Sequence, residues 1–295
     1  MKIGFIGFNK HIGKIINQSQ TDNELSIAGI YASRTKSLQN ANTKHFTSPE
    51  ELAENSDILY ISCSEPANEI SQYAIKKTRH LFFESPFCLT KYEFDKLFNL
   101  ANETNSHIKF SQEILQKQIY REIKSKLNPH ILKFNIYDNQ ETILKQHIFD
   151  FVTLTREIIK SGIRKIYHHK VPNKTGTAQS LSLNILFDNG KTAECFLTQI
   201  TNTEKLLLQA YQESITIEID FKNNYATISS LEGETVEMTE YKKTDNQDKT
   251  IKDLILYAKN ISNTQQKPLI VREENYHILS ITHELINTIQ QSDHH

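Results

Sequence analysis

The opening third of the chain repeats one alternation, and this limits the fold more than any other feature. Short, almost wholly apolar runs at Lys2 to Gly7, Leu25 to Ala32, Ile58 to Cys63 and His80 to Glu84 alternate with stretches of helical spacing at Ile12 to Gln18, Pro49 to Asn55, Ala67 to Lys77 and Lys91 to Asn105. A strand that is apolar on both sides must be covered on both sides, and helices supply the crossover that parallel neighbours need. The pattern predicts a doubly wound parallel sheet with a short fifth strand at His107 to Ser111. Two helix starts are written locally. Ser48-Pro49-Glu50-Glu51 combines a cap, a proline at the first position and acids in the first turn, and Thr90-Lys91-Tyr92-Glu93 has capping-box spacing.

After about residue 125 the period changes. Ile131 to Tyr137 reads as a strand and Phe149 to Lys160 as an amphipathic helix closed near Gly162. In Ser180 to Phe187, Leu181, Leu183, Ile185 and Phe187 share one face, and Ser180, Ser182 and Asn184 the other. Asp188-Asn189-Gly190 is a hairpin turn, and Thr192 to Thr198 and Ser214 to Phe221 continue the alternation. Strands apolar on one side only predict an antiparallel sheet with one solvated face. Helical segments at Ile251 to Ile261 and Tyr276 to Gln291 close the chain. At 295 residues, two domains are expected, and we place them at 1–118 and 119–295.

Charge narrows the partners. With 34 basic and 35 acidic side chains there is no whole-molecule field to attract nucleic acid or an anionic membrane. No run approaches the roughly 20 apolar residues that span a bilayer, and Met1 leads almost directly into a strand, so a cytoplasmic protein is expected. Cys63, Cys88 and Cys195 are odd in number and unpaired in spacing, which indicates neither a disulfide framework nor a metal site; Cys63 and Cys195 read as small buried hydrophobes. His294-His295 are set aside as a possible tag remnant.

The turn after the first run, "GFIGFNKHIG", is where dinucleotide-binding folds hold a pyrophosphate. Gly7 fills the first glycine position of that fingerprint; the second falls on Asn9, tolerable because asparagine enters left-handed conformations more readily than most residues, and the third on Ile12, with Gly13 one residue late. Two readings stand: a plain strand-turn-helix, or a loop in which Gly7, Phe8, Asn9, His11 and Ile12 line a cofactor. The second run ends Tyr31-Ala32-Ser33-Arg34, without the acid that meets a free ribose hydroxyl. Arg34 with Ser33 suits a 2′-phosphate and favours NADP, with NAD still possible; the other reading is a solvated arginine at a strand end.

The stretch "ILYISCSEPANEISQYAIKKTRHLFFESPFCLT" resembles the part of the Gfo/Idh/MocA oxidoreductases that runs from an A-x-P turn to a Glu-Lys-Pro signature. With the N-terminal strand, the "SR" strand end and the later "HIFDF", the resemblance follows the family's order over essentially the whole chain. It implies a Rossmann domain, then an α+β domain with a large, mainly antiparallel open sheet, and a nicotinamide cofactor. It places Ser62, Ser64, Glu84 and Pro86 at the cofactor, and family members often carry a cis bond at that proline. The chemistry departs from the family: the signature reads Glu84-Ser85-Pro86, and a serine hydroxyl is too short and has no positive charge to polarise a substrate oxygen. In the family's D-x-x-x-H-x-x-D run, His147 and Asp150 match, but the first acid falls on Ile143. His147, Asp150 and Ser85 are the catalytic candidates, His147 for proton transfer and Asp150 as its orienter or as a helix cap.

Biliverdin reductases resemble the chain further. They also lack the signature lysine and carry Y-I-C-S-E where Tyr60 to Glu65 stand here, but they have tyrosine at the position of Ser85. The resemblance implies an NAD(P)H-dependent reductase of a small carbonyl or conjugated molecule, with a biliverdin-like tetrapyrrole among the options. The alternative is a nucleotide-binding or regulatory protein that kept the fold and lost catalysis. The expected assembly is a monomer, as the polar outer face suggests, or a homodimer through the open sheet.

Overall fold

The computed structural model describes residues 1–21, 26–33, 43–62, 67–138, 144–172, 178–201, 203–230, 232, 234–240, 249–263 and 268–291. In chain order the elements are β1 (Lys2–Ile6), α1 (Lys10–Thr21), β2 (Ser26–Tyr31), α2 (Pro49–Glu54), β3 (Ile58–Ile61), α3 (Ala67–Lys76), β4 (His80–Phe83), α4 (Lys91–Thr104) and β5 (Ile108–Phe110). They continue with α5 (Gln118–Ile123), β6 (Ile131–Tyr137), α6 (Leu144–Ile159), β7 (Ile163–Pro172), β8 (Ala178–Phe187), β9 (Thr192–Thr198), β10 (Lys205–Tyr211) and β11 (Ile215–Asp220). β12 (Tyr225–Ser230), β13 (Thr235–Glu240), α7 (Lys249–Asn263) and α8 (Pro268–Gln291) complete the chain. Two compact units result, Met1–Glu113 with Gln247–Ser280 and Ile114–Asn246 with Ile281–His295.

The first unit is the doubly wound sheet, five parallel strands in the order β2-β1-β3-β4-β5. On one face Ile3, Phe5, Ile58, Tyr60 and Phe82 pack with Ile12, Ile15 and Ile16 of α1 and with Ile251, Leu254, Ile255, Tyr257 and Ala258 of α7. The opposite face carries Phe83, whose ring stacks on Phe110, which in turn meets Phe94 of α4. Both local helix starts form as read: Ser48 Oγ accepts from Glu51 N, and Thr90 and Glu93 make the reciprocal capping box. The sequence places one boundary near residue 118; the fold crosses between units more than once. The physical reason is the sheet face over α1, which stays partly bare until α7 returns to it.

α7 is also fixed by polar groups. Asp253, fully buried, accepts from Gln112 N at 2.9 Å and pairs with Lys109 of β5 at 3.2 Å. Tyr257 Oη lies 3.1 Å from Leu81 O and 2.9 Å from His107 O.

In the second unit eight strands form one sheet, β13-β12-β11-β10-β6-β9-β8-β7. Every pairing is antiparallel except β6 with β9. Leu181, Leu183, Ile185 and Phe187 face inward and are buried, as their spacing requires. The turn between β8 and β9 holds Gly190 at φ +80°, a conformation that favours glycine. β7, β10, β12 and β13 were not legible in the sequence. β7 is an edge strand whose Arg164, Lys165, His168 and His169 are exposed, a charged composition that masks the period and discourages edge pairing. α6 begins at Leu144, one turn and more before the expected Phe149, so Asp150 lies inside the helix and cannot be its N-cap.

Cys195 is free and buried, as read. Cys88, in contrast, is disulfide-bonded. Parity and spacing in sequence do not report which Cα atoms the fold brings within bonding reach. Cys63 and His294-His295 lie outside the described residues. Among the described residues no helix is long and apolar enough to cross a membrane.

Replacing Asp253 by alanine leaves Lys109 without its carboxylate and Gln112 N without its acceptor. The expected loss is about 3 kcal/mol, the low end for breaking a buried pair because Lys109 keeps some exposure; urea unfolding of the variant measures it.

Candidate functional site

In the first unit the strand ends of β1, β3 and β4 converge on one polar cluster. Gly7 sits at φ +90° and donates its N–H to Tyr31 O at 2.7 Å, so the chain leaves β1 through a turn that disfavours any side chain. Asn9 precedes α1 and caps it: its Oδ1 accepts from Ile12 N at 2.8 Å, while Gly13 N closes the first helical bond to Asn9 O at 3.1 Å. Its amide nitrogen turns the other way, donating to Glu84 Oε1 at 3.0 Å and lying 3.4 Å from Ser62 Oγ. Ser62, buried, donates to Glu84 Oε2 at 2.7 Å.

Asn9 is not among the residues with positive φ, so the left-handed tolerance expected of it is not used. Its side chain decides its role, as a cap on α1 and a donor to the signature glutamate. Ile12, at the third glycine position, is a fully buried core residue. At Gly13 a Cβ would stand 3.4 Å from the Phe8 ring, an ordinary van der Waals contact, so the packing there does not require glycine. His11 is 3.0 Å from Thr250 of α7, whose hydroxyl donates to Glu113 at 2.6 Å. Ser85 Oγ accepts from Phe87 N at 3.3 Å, so this serine shapes its own turn. Pro86 is buried, and among the described residues no peptide bond is cis, the bond preceding Pro86 included. Ser33 is exposed at the end of β2; Arg34, Ser64 and Ile143 lie outside the described residues.

In the second unit His147, one turn into α6, is buried and sits with Nε2 3.1 Å from Asp138 Oδ2. Burial holds its pKa below the ordinary value for a histidine; the bond and charge of Asp138 oppose that shift, and the charge of Lys117 adds to it. Lys117 itself donates to Phe221 O at 3.0 Å and lies over the Phe221 ring. Asp150 accepts from Gln146 at 3.0 Å, one turn back along the helix. The residue brought to His147 is thus Asp138, which sequence reading missed; its only signal was an acid directly after the β6 pattern. Among the described residues no group of side chains is arranged to hold a metal ion.

The fold is a doubly wound parallel domain with a positive-φ glycine at the β1 turn, followed in the second unit by a large one-sided sheet. Comparison with known proteins agrees at that level. Residues 1–110 match the Gfo/Idh/MocA family model, described as an oxidoreductase family with an NAD-binding Rossmann fold. UDP-N-acetylglucosamine 3-dehydrogenase from Acidithiobacillus ferrooxidans has a similar fold, with TM-score 0.81 and 14% identity over 99% of this chain and 98% of that one. A dehydrogenase from Clostridium difficile gives TM-score 0.84 and 14% identity over 98% and 99% of the two chains. Biliverdin reductase from Synechocystis sp. PCC 6803, solved with biliverdin and NADP+, gives 0.71 and 11% over 97% and 98%. No curated protein sequence matches significantly.

The two tasks of Asn9 can be separated by substitution. Asn9→Ala removes the cap and costs about 1 kcal/mol. Asn9→Asp keeps a good cap but faces Glu84 with a second carboxylate in place of a donor. Urea unfolding at pH 7 is expected to show the aspartate variant no more stable than the alanine one.

Proposed function

We propose that the chain is an NAD(P)H-dependent oxidoreductase that reduces a small carbonyl or conjugated molecule, a biliverdin-like tetrapyrrole being one such acceptor. The observation that carries this reading is the turn from β1 into α1, where Gly7 at φ +90° brings the chain onto a helix N-terminus, the feature that suits a pyrophosphate. The family match over residues 1–110 supports it.

In this reading Gly7, Phe8, Asn9 and His11 face the pyrophosphate, Ile12 packs in the core behind them, Ser33 and Arg34 take the 2′-phosphate that makes NADP the preferred form, and Ser62, Ser64, Glu84 and Pro86 border the nicotinamide. Bound there, the dinucleotide supplies hydride. The chain's own contribution is binding and the proton. Ser85 has no cation for a developing oxyanion, and its hydroxyl accepts from Phe87 N, so an acceptor whose charge is delocalised suits this site better than a sugar alcohol. His147 handles the proton, and Asp150 lies one turn further along the same helix.

The second reading, a regulatory protein on the same fold, is favoured by the side chain of Asn9, which already satisfies one N–H that a pyrophosphate would use. Titration with NADPH and with NADH, followed by nicotinamide fluorescence, separates the two. Tighter binding of NADPH, with the preference reduced in Arg34→Ala, is the expected result. No binding of either would sink the oxidoreductase reading and leave the regulatory one.

A further inference from the structure

Three buried polar side chains, Thr250, Asp253 and Tyr257, run along one side of α7 at the spacing of successive helical turns. Their partners follow β5 from one end to the other. Tyr257 reaches His107 O just before the strand, Asp253 pairs with Lys109 inside it and accepts from Gln112 N beyond it, and Thr250 donates to Glu113 at 2.6 Å. Asp253 and Tyr257 fix the helix on the sheet. Thr250 does more, because its oxygen also meets the ring of His11, 3.0 Å away in the first turn of α1 and 239 residues distant in sequence.

A hydroxyl has one proton. Thr250 gives it to Glu113, so toward His11 it can only accept, and the ring nitrogen facing it, Nε2, must carry the hydrogen. The neutral ring is thereby held in one tautomer, with Nδ1 as its acceptor. The carboxylate of Glu113 stands at the start of α7, whose first turn has no acid of its own and where a negative charge is favourable. It also polarises the hydroxyl and makes its oxygen the better acceptor for His11. His11 follows two residues after Asn9, so whatever anchors its ring anchors the turn from β1 into α1.

We propose that Thr250 is a positioning residue for the dinucleotide: acting through His11, it holds the first turn of α1 against α7, and Glu113 fixes the direction of the bond. Glu113 is the last residue of the first unit before the chain leaves it, and Thr250 comes three residues after Gln247, where the chain returns. One hydroxyl therefore ties the candidate pyrophosphate loop to both ends of the departure. Coupling of this kind is reciprocal, so a dinucleotide bound at the loop stabilises the start of α7 by as much as α7 improves its binding. The proposal rests on the oxidoreductase reading for its ligand, and on the contacts alone for the tie.

Measurements on the full chain separate the two. Long-range 15N–1H correlation of the imidazoles at pH 8, with His11 assigned by His11→Gln, is expected to show the Nε2–H form in the wild type and a mixture of tautomers in Glu113→Ala, where the hydroxyl is released to donate. An Nδ1–H wild type, or an unchanged ring in the alanine variant, overturns the proposal. In titrations followed by nicotinamide fluorescence, Thr250→Val is expected to bind NADPH about tenfold more weakly, the scale of one lost hydrogen bond, and Thr250→Ser to bind it nearly as the wild type does. Valine keeps the shape of threonine better than serine does, so rescue by serine reports the hydroxyl and not the packing. Glu113→Ala, at an exposed position, is the second variant should valine destabilise the fold, and it is expected to weaken NADPH by a smaller factor in the same direction. Unchanged affinity in both Thr250→Val and Glu113→Ala overturns the proposal and leaves the oxidoreductase reading standing. No binding of NADPH or NADH by the wild type overturns that reading, and the proposal with it.

Discussion

A parallel sheet has two apolar faces, and everything in the first unit follows from the need to cover both. α2, α3 and α4 are close enough in sequence to their strands to be laid down by short crossovers. The face built from Ile3, Phe5, Ile58, Tyr60 and Phe82 receives only α1 from the same segment, and the remaining cover, α7, comes from beyond residue 248. Burying Ile251, Leu254 and Tyr257 there is favourable enough for the chain to leave the first unit, build the second, and return. The discontinuous organisation is therefore a packing solution. It also reaches the candidate site, because Thr250 at the start of α7 bonds His11 at the start of α1 and Glu113 just beyond β5.

Asn9 and Ser85, the unexpected residues of the candidate loop and signature, look different once each side chain has its partners. Asn9 caps α1 and donates to Glu84; Ser85 closes a turn on Phe87 N. Each polar atom introduced at these positions needed a partner, and each found one within a few residues or across adjacent strand ends. The cluster of Asn9, Ser62 and Glu84 holds the ends of β1, β3 and β4 together.

Legibility followed the range of the interaction. The caps at Ser48 and Thr90 and the turn at Gly190 involve residues two to four apart, and all were readable. β8 and β9 were readable because one face is uniformly apolar. β10, with Leu206, Leu207 and Leu208 in a row, has no period to read, and β7 is obscured by the charges an edge strand carries. The start of α6 was misplaced because its first residues, Leu144 to Gln146, are mixed in character, and that error made Asp150 look like a cap. The partner of His147 was out of reach: Asp138 is nine residues earlier, on a different element, and no helical or strand spacing links them.

By itself the sequence determined the two kinds of sheet, the order of the elements in the first unit, and the candidate loop at Gly7, because burial on both faces, burial on one face and a positive-φ turn each leave a local imprint. Only the tertiary structure decided which helix covers the β1 face, that Asn9 acts through its side chain rather than its backbone, and that Asp138 stands against His147. Those outcomes depend on groups brought together from distant parts of the chain, and the pattern of residues along one segment carries no record of what packs against it.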